Sequence, residues 1–99
     1  MNRKLVFTAT AAAQLRELAS SPHQQGVYKQ VCKVLGFLET NPRHPSLQTH
    51  EFSSLAGLGG EKVFEAYAQN QTSGAYRLFF HYGPDENVRA KRIPVISII

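Results

Sequence analysis

The sequence predicts a small α+β domain in which an N-terminal strand and a two-helix hairpin precede a curved antiparallel sheet, in the order β-α-α-β-β-β-β. Three observations carry this. Apolar residues recur at helical spacing up to Leu38, the pattern changes to strand-like alternation after the proline-containing stretch Pro42-Arg43-His44-Pro45, and 99 residues fit one hydrophobic core. Residues 1–99 are therefore read as a single domain.

Residues 4–7 form a short apolar strand, and Thr8 or Thr10 can cap the following helix by accepting a bond from a free backbone N–H. In that helix Ala11, Leu15, Leu18 and Ala19 make one apolar stripe, and Ser20-Ser21-Pro22 stops it. A second stripe runs through Val27, Val31, Val34, Leu35 and Leu38, with Cys32 beside it as a small buried hydrophobe. Pro42 ends this helix because proline disfavours the helical conformation in the residue before it. The two helices then pair as a hairpin.

Beyond the loop, residues 50–55 are a strand candidate, and Ala56-Gly57-Leu58-Gly59-Gly60 is a turn. Residues 62–69 alternate, with Phe64, Ala66 and Ala68 on one face. A polar turn at 70–74 leads into residues 76–82, where Tyr76, Leu78, Phe80 and Tyr82 line one face and Arg77, Phe79 and His81 the other. Residues 83–87 form another turn, and the β-branched run at 93–99 suits a buried strand.

Composition narrows the function classes. Hydrophobic residues at 42% against 18% charged ones support a packed core, unlike a disordered chain. The net charge of +4 favours an anionic partner, but no polybasic tract is present. No segment has the length of a membrane span and the N-terminus lacks a signal-peptide pattern, so the expected location is the cytoplasm, with no membrane partner. Histidines at 23, 44, 50 and 81 and one cysteine have no metal-ligand spacing, and His50-Glu51 lacks the second histidine of a zinc protease helix. Gly57-Leu58-Gly59-Gly60 lacks the Lys and Ser/Thr of a phosphate loop. Neither a metal nor a cofactor is expected.

The chemistry concentrates on one hairpin. Glu65 and Tyr67 alternate with the apolar face of their strand, and Arg77 and His81 with that of theirs, so the four share the opposite, open face. An arginine there can hold a phosphate with two parallel donors, and a histidine beside it can move a proton near neutral pH. A plainer reading makes Glu65 and Arg77 a cross-strand pair and His81 an ordinary solvated residue. Arg43, His44, Lys62, Arg89, Lys91 and Arg92 can track an RNA backbone, although strand ends carry such charges simply to discourage edge pairing. Tyr28, Tyr67, Tyr76 and Tyr82 can stack bases, but two of them lie on the core face.

Three phrases occur in order: Leu38-Glu39-Thr40-Asn41-Pro42-Arg43-His44-Pro45-Ser46-Leu47, Val63-Phe64-Glu65-Ala66-Tyr67 and Tyr76-Arg77-Leu78-Phe79-Phe80. Together they resemble the RelE/ParE superfamily of bacterial toxins over most of the chain. The resemblance implies a helix pair on a curved antiparallel sheet and an antitoxin partner. For the RelE branch it also implies ribosome-dependent mRNA cleavage, without metal, by attack of the ribose 2′-hydroxyl on the adjacent phosphate. Arg77 matches the family's sheet arginine, which stabilises charge on that phosphate.

Glu65 and Tyr67 stand where RelE-like nucleases often carry lysines. The chain stops at Ile99, short of the C-terminal tail that often supplies a proton-transfer residue, which implies either a truncated chain or a different proton donor. His50 and His81 are substitutes by chemistry alone. The expected site is thus Arg77 and His81 for catalysis, with Arg43, His50 and Lys62 contacting RNA on the ribosome. Two alternatives stay open: a ParE-like toxin that binds DNA gyrase without cutting RNA, and an inactive member that only binds antitoxin or RNA.

Overall fold

The computed structural model describes residues 2–68 and 76–99. Strand β1 (Lys4–Phe7) leads into helix α1 (Ala9–Ser20), and a single 3₁₀ turn at Pro22–Gln24 reverses the chain into helix α2 (Gln25–Thr40). After a second 3₁₀ turn at Pro45–Leu47 come β2 (His50–Ala56), β3 (Lys62–Tyr67), β4 (Arg77–Tyr82), the short pair β5 (Glu86–Val88) and β6 (Lys91–Ile93), and β7 (Val95–Ile98). The turn expected at 70–74 lies outside the described residues.

Local chemistry explains the helix limits. The Thr8 hydroxyl accepts from the Ala11 N–H at 3.1 Å, closing the N-terminus of α1 as a Ser/Thr cap does. At the far end of α2 the Asn41 N–H donates to the Phe37 carbonyl at 2.6 Å before Pro42 turns the chain away. The expected stripes face the sheet: Ala11 and Leu18 from α1 and Val31, Val34 and Leu38 from α2 are buried against Ala66, Leu78, Phe80, Ile96 and Ile98. Cys32 does not share their burial. It is exposed, because it lies one residue past Val31 on the helix, beside the inward stripe and not within it.

The main sheet has the order β1-β7-β4-β3-β2. It is mixed, not antiparallel throughout as the sequence implied: β1 runs parallel to β7, Leu5 opposite Ile96, while the other pairs are antiparallel. The helical hairpin between β1 and the remaining strands acts as the long crossover that a parallel pair needs. The final strand is also shorter than expected. Pro94 cannot donate to a ladder, so the run divides into β6, paired with β5 in a separate two-stranded arm, and β7 in the main sheet.

Asp85 anchors that arm. Its carboxylate accepts from the Val95 N–H at 3.1 Å and from Arg92 Nε at 2.7 Å. The Val95 bond, aided by Arg92, holds the Asp85 carboxyl below its ordinary value of 3.8. A carboxyl lowered by folding stabilises the folded state above its ordinary pKa, and that contribution disappears as pH falls through the folded value. Protection of the Val95 amide from hydrogen exchange should therefore fall below pH 3.8. The Asp85→Asn variant, lacking the charge, should show little of that pH dependence.

Alternate residues divide the sheet. Leu5, Phe64, Ala66, Leu78, Phe80, Ile96 and Ile98 meet the helices. Leu38 sits at the middle of this core and is 0% exposed. Its replacement by alanine should cost about 2–5 kcal/mol, read by denaturant unfolding.

Candidate functional site

Across β2, β3 and β4, on the side away from the helices, the register sets His50 opposite Glu65 and Tyr67 opposite Arg77. Side chains of directly opposed residues lie within reach of each other, and long ones also reach the diagonal neighbour. Glu65 is only 1% exposed, yet it carries a carboxylate. Its Oε1 lies 2.9 Å from His50 Nε2 and its Oε2 lies 3.1 Å from Arg77 Nη1. The Arg77 contact is an ion pair off the N–H direction, since Oε2 lacks an aligned hydrogen bond.

Burying a lone carboxylate is costly, so this one depends on the Arg77 guanidinium and on an N–H from the His50 ring. They differ from it in exposure: the His50 side chain is 48% and that of Arg77 46% exposed. Glu65 is the buried anchor, and the groups it holds are presented to solvent. The guanidinium also lies 5.9 Å from the centre of the Phe79 ring, a cation–π contact that fixes its plane further.

Tyr67 completes the cluster. Its hydroxyl donates to the Glu65 carboxylate, which raises the phenol above its ordinary value of 10.0; burial adds to the rise and Arg77 opposes it. The Tyr67 ring lies 5.8 Å from that of His50. On the other edge of His50, Nδ1 is 3.2 Å from the Gln48 carbonyl, a long contact that a substrate oxygen can replace. A carboxylate at Nε2 orients the imidazole and leaves Nδ1 as the reacting nitrogen, the logic by which acidic residues position catalytic histidines.

The expected residues do not all meet here. Arg77 and His50 share the two oxygens of one carboxylate. Arg43 is not in that cluster; it lines a separate cleft that His50 also lines. Lys62 alternates with Val63 and so lies on the helix side of β3, 75% exposed, with Glu51 3.8 Å away. It is not part of the Arg77 face. His81 is on the Arg77 side of the sheet, but it is not the solvated residue of the sequence reading. It is 7% exposed, its Nδ1 is 3.3 Å from the Tyr82 carbonyl, and it stands close enough to Glu61 to help lower that carboxyl. The larger cause of the lowering is the backbone N–H of Glu61 itself.

The glycine turn before β3 serves that same carboxylate. Gly59 N–H donates to Glu61 Oε1 at 2.9 Å, and a Cβ at Gly57 or Gly59 would collide with the Glu61 side chain. In this conformation the Glu61 carboxylate fills the space beside both glycines. Among the described residues no group of three or more His, Cys, Asp or Glu could hold a metal ion. Among the described residues no helix is long and apolar enough to cross a membrane.

Compared with protein-family models, curated proteins and solved structures, the chain matches none of them. Sequence reading assigned Glu65 a plain pairing role and missed its position as the shared anchor of His50 and Arg77. The signal present was an acidic residue in the middle of a strand between Val63 and Tyr67, where solvation alone would favour a strand end. A Glu65→Gln variant should return the Tyr67 phenol toward its ordinary value, because the anion that raises it is gone. Arg77→Ala should raise it further; titration of labelled tyrosine by NMR reads both shifts.

Proposed function

We propose that this chain is a toxin of the RelE/ParE superfamily that inhibits translation by cutting mRNA on the ribosome, with an antitoxin as its regulatory partner and the cytoplasm as its place of action. The observation that carries this reading is the pair His50 and Arg77, half exposed and held by the two oxygens of a buried carboxylate. Single-stranded RNA contains a nucleophile beside its own scissile bond, so cleavage needs a proton acceptor, a cation at the phosphate and correct alignment.

In this reading the scissile phosphate lies on the Arg77 guanidinium, whose planar donors match phosphate oxygens. His50 Nδ1, freed from the Gln48 carbonyl, takes the proton of the 2′-hydroxyl. The 2′-oxygen then bonds to phosphorus as the bond to the 5′-oxygen breaks, and the 5′-oxygen leaves with a proton from water on the open face. The products are a 2′,3′-cyclic phosphate and a 5′-hydroxyl end. Glu65 touches no substrate; it is a positioning residue for both groups. His81, being buried away from this pair, has no part in the step.

Growth arrest and transcript ends give the test. Wild-type protein added to a translation reaction should produce new mRNA 5′ ends, by primer extension, only when ribosomes are present. Arg77→Lys keeps a cation for Glu65 but loses the planar fork, and should lower cleavage by about 10-fold or more with the fold intact. Arg77→Ala should abolish it. Intact transcripts from folded wild-type protein would overturn the nuclease reading. If plasmid supercoiling changed at the same time, gyrase would replace mRNA as the target, and Arg77 would be a structural partner of Glu65.

A further inference from the structure

Beside the proposed catalytic pair lies a cleft of about 410 Å³, formed where residues 42–50 pass over the uncovered end of the sheet. Its volume falls within the roughly 300–1,000 Å³ of small-molecule sites. The wall is aromatic: the Phe64 and Tyr82 rings meet edge to face with centres 5.6 Å apart, and Tyr82 is 40% exposed. Arg43 and His50 are at its margins, and none of its lining residues is acidic.

Thr49 lines this cleft, and its hydroxyl, closed to solvent in this rotamer, has no hydrogen-bond partner, so a turn about χ1 is what brings it to a ligand. Native proteins satisfy such groups, and an orphan in a binding cleft marks a place where a ligand atom belongs. Its position follows from the turn before it, since Gln48 adopts the left-handed conformation at φ 48° and its N–H donates to the Pro45 carbonyl. Neighbouring His44 also lines the cleft, but its ring is already engaged. Its ring stacks on Phe37 at 4.0 Å and its Nδ1 accepts from the Ser46 N–H.

An aromatic wall, a hydroxyl able to donate and accept, and a cationic margin are the three features with which proteins hold an unstacked base and its phosphate. We propose that this cleft binds one nucleotide of single-stranded RNA, with its base against Tyr82 and Phe64, a base-edge atom on Thr49 Oγ1 and a phosphate at Arg43. His50 lines the cleft and also belongs to the Glu65 cluster, so a nucleotide seated here leads the adjoining phosphodiester toward His50 Nδ1. The inference rests on the RNA-cleaving reading and gives it a substrate subsite separate from Arg77.

The test titrates the purified full chain with the four nucleoside 5′-monophosphates, a single-stranded RNA tetranucleotide and inorganic phosphate, followed by backbone amide NMR. At least one monophosphate and the tetranucleotide should saturate shifts at Thr49 and Tyr82, while phosphate alone should bind far more weakly. Tyr82→Leu should weaken nucleotide binding by about 5-fold or more, the loss expected when a base loses its stacking partner. Thr49→Val, nearly isosteric, should weaken it without loss of fold, and Lys33→Ala, exposed on α2 and outside the cleft, should leave it unchanged. Phosphate binding as tightly as the nucleotides, or unchanged affinity in both Thr49→Val and Tyr82→Leu, would overturn the proposal. Nucleotide binding as expected without mRNA cleavage would keep the cleft and reject the nuclease. Cleavage without nucleotide binding would do the reverse.

Discussion

A single carboxylate buried in the middle of a sheet organises the exposed chemistry of this protein. Glu65 cannot be solvated where it stands, so the fold must bring N–H groups to it, and they arrive from both neighbouring strands. His50 comes from β2 and Arg77 from β4, each against its own oxygen. The dependence is unequal. The two partners are half exposed and can turn to water if the carboxylate is removed, whereas the carboxylate has no such recourse if both partners are removed. Loss of either one leaves Glu65 a single partner, so the contributions of His50 and Arg77 to stability are coupled.

The rest of the fold can be understood as support for that arrangement. The helices cover the opposite face, where Phe80 and Ala66 are fully buried, and fix the twist and register of β3 and β4 from behind. Close packing there makes a register slip prohibitive, because moving β4 by one residue would carry Leu78 and Phe80 out of the core and Arg77 into it. Rigidity of the apolar face thus becomes precision on the polar one. The two sides of one strand have different tasks, divided by the alternation of the backbone.

His50 joins two environments. One edge of its ring contacts Glu65, and the ring also lines the cleft below the 42–50 segment. That segment is irregular because Pro42 and Pro45 exclude regular backbone pairing, and the left-handed turn at Gln48 then feeds the chain into β2. The placement of His50 therefore depends on a loop that has little intrinsic periodicity. Buried Leu47 pins that loop to the core just before the histidine, at 1% exposure.

Much of the architecture was legible in order and in kind. Both helices, their inward stripes, the Thr8 cap and strands β2 to β4 follow from spacing, because helical and extended backbones place side chains with fixed periods. Alternation also correctly placed Glu65, Tyr67, Arg77 and His81 on one side of the sheet. It misled on Cys32, where one residue of rotation separates a buried position from an exposed one, and on His81, where belonging to the outer face did not mean contact with water. The β5–β6 arm was missed: it overlaps the turn read at 83–87 and the start of the strand read at 93–99, and residues 88–92 between them were assigned to neither, with Pro94 the local sign that the last strand begins after it.

Sequence by itself determined which residues had compatible local conformations and which side of a strand each occupied. Tertiary structure decided which of them met. The parallel pairing of β1 with β7, the contact of His50 with Glu65 and the cleft that Arg43 and His50 both line all join positions whose relation depends on loop paths and strand register. These are long-range quantities set by the packing of the whole core, and no local period encodes them.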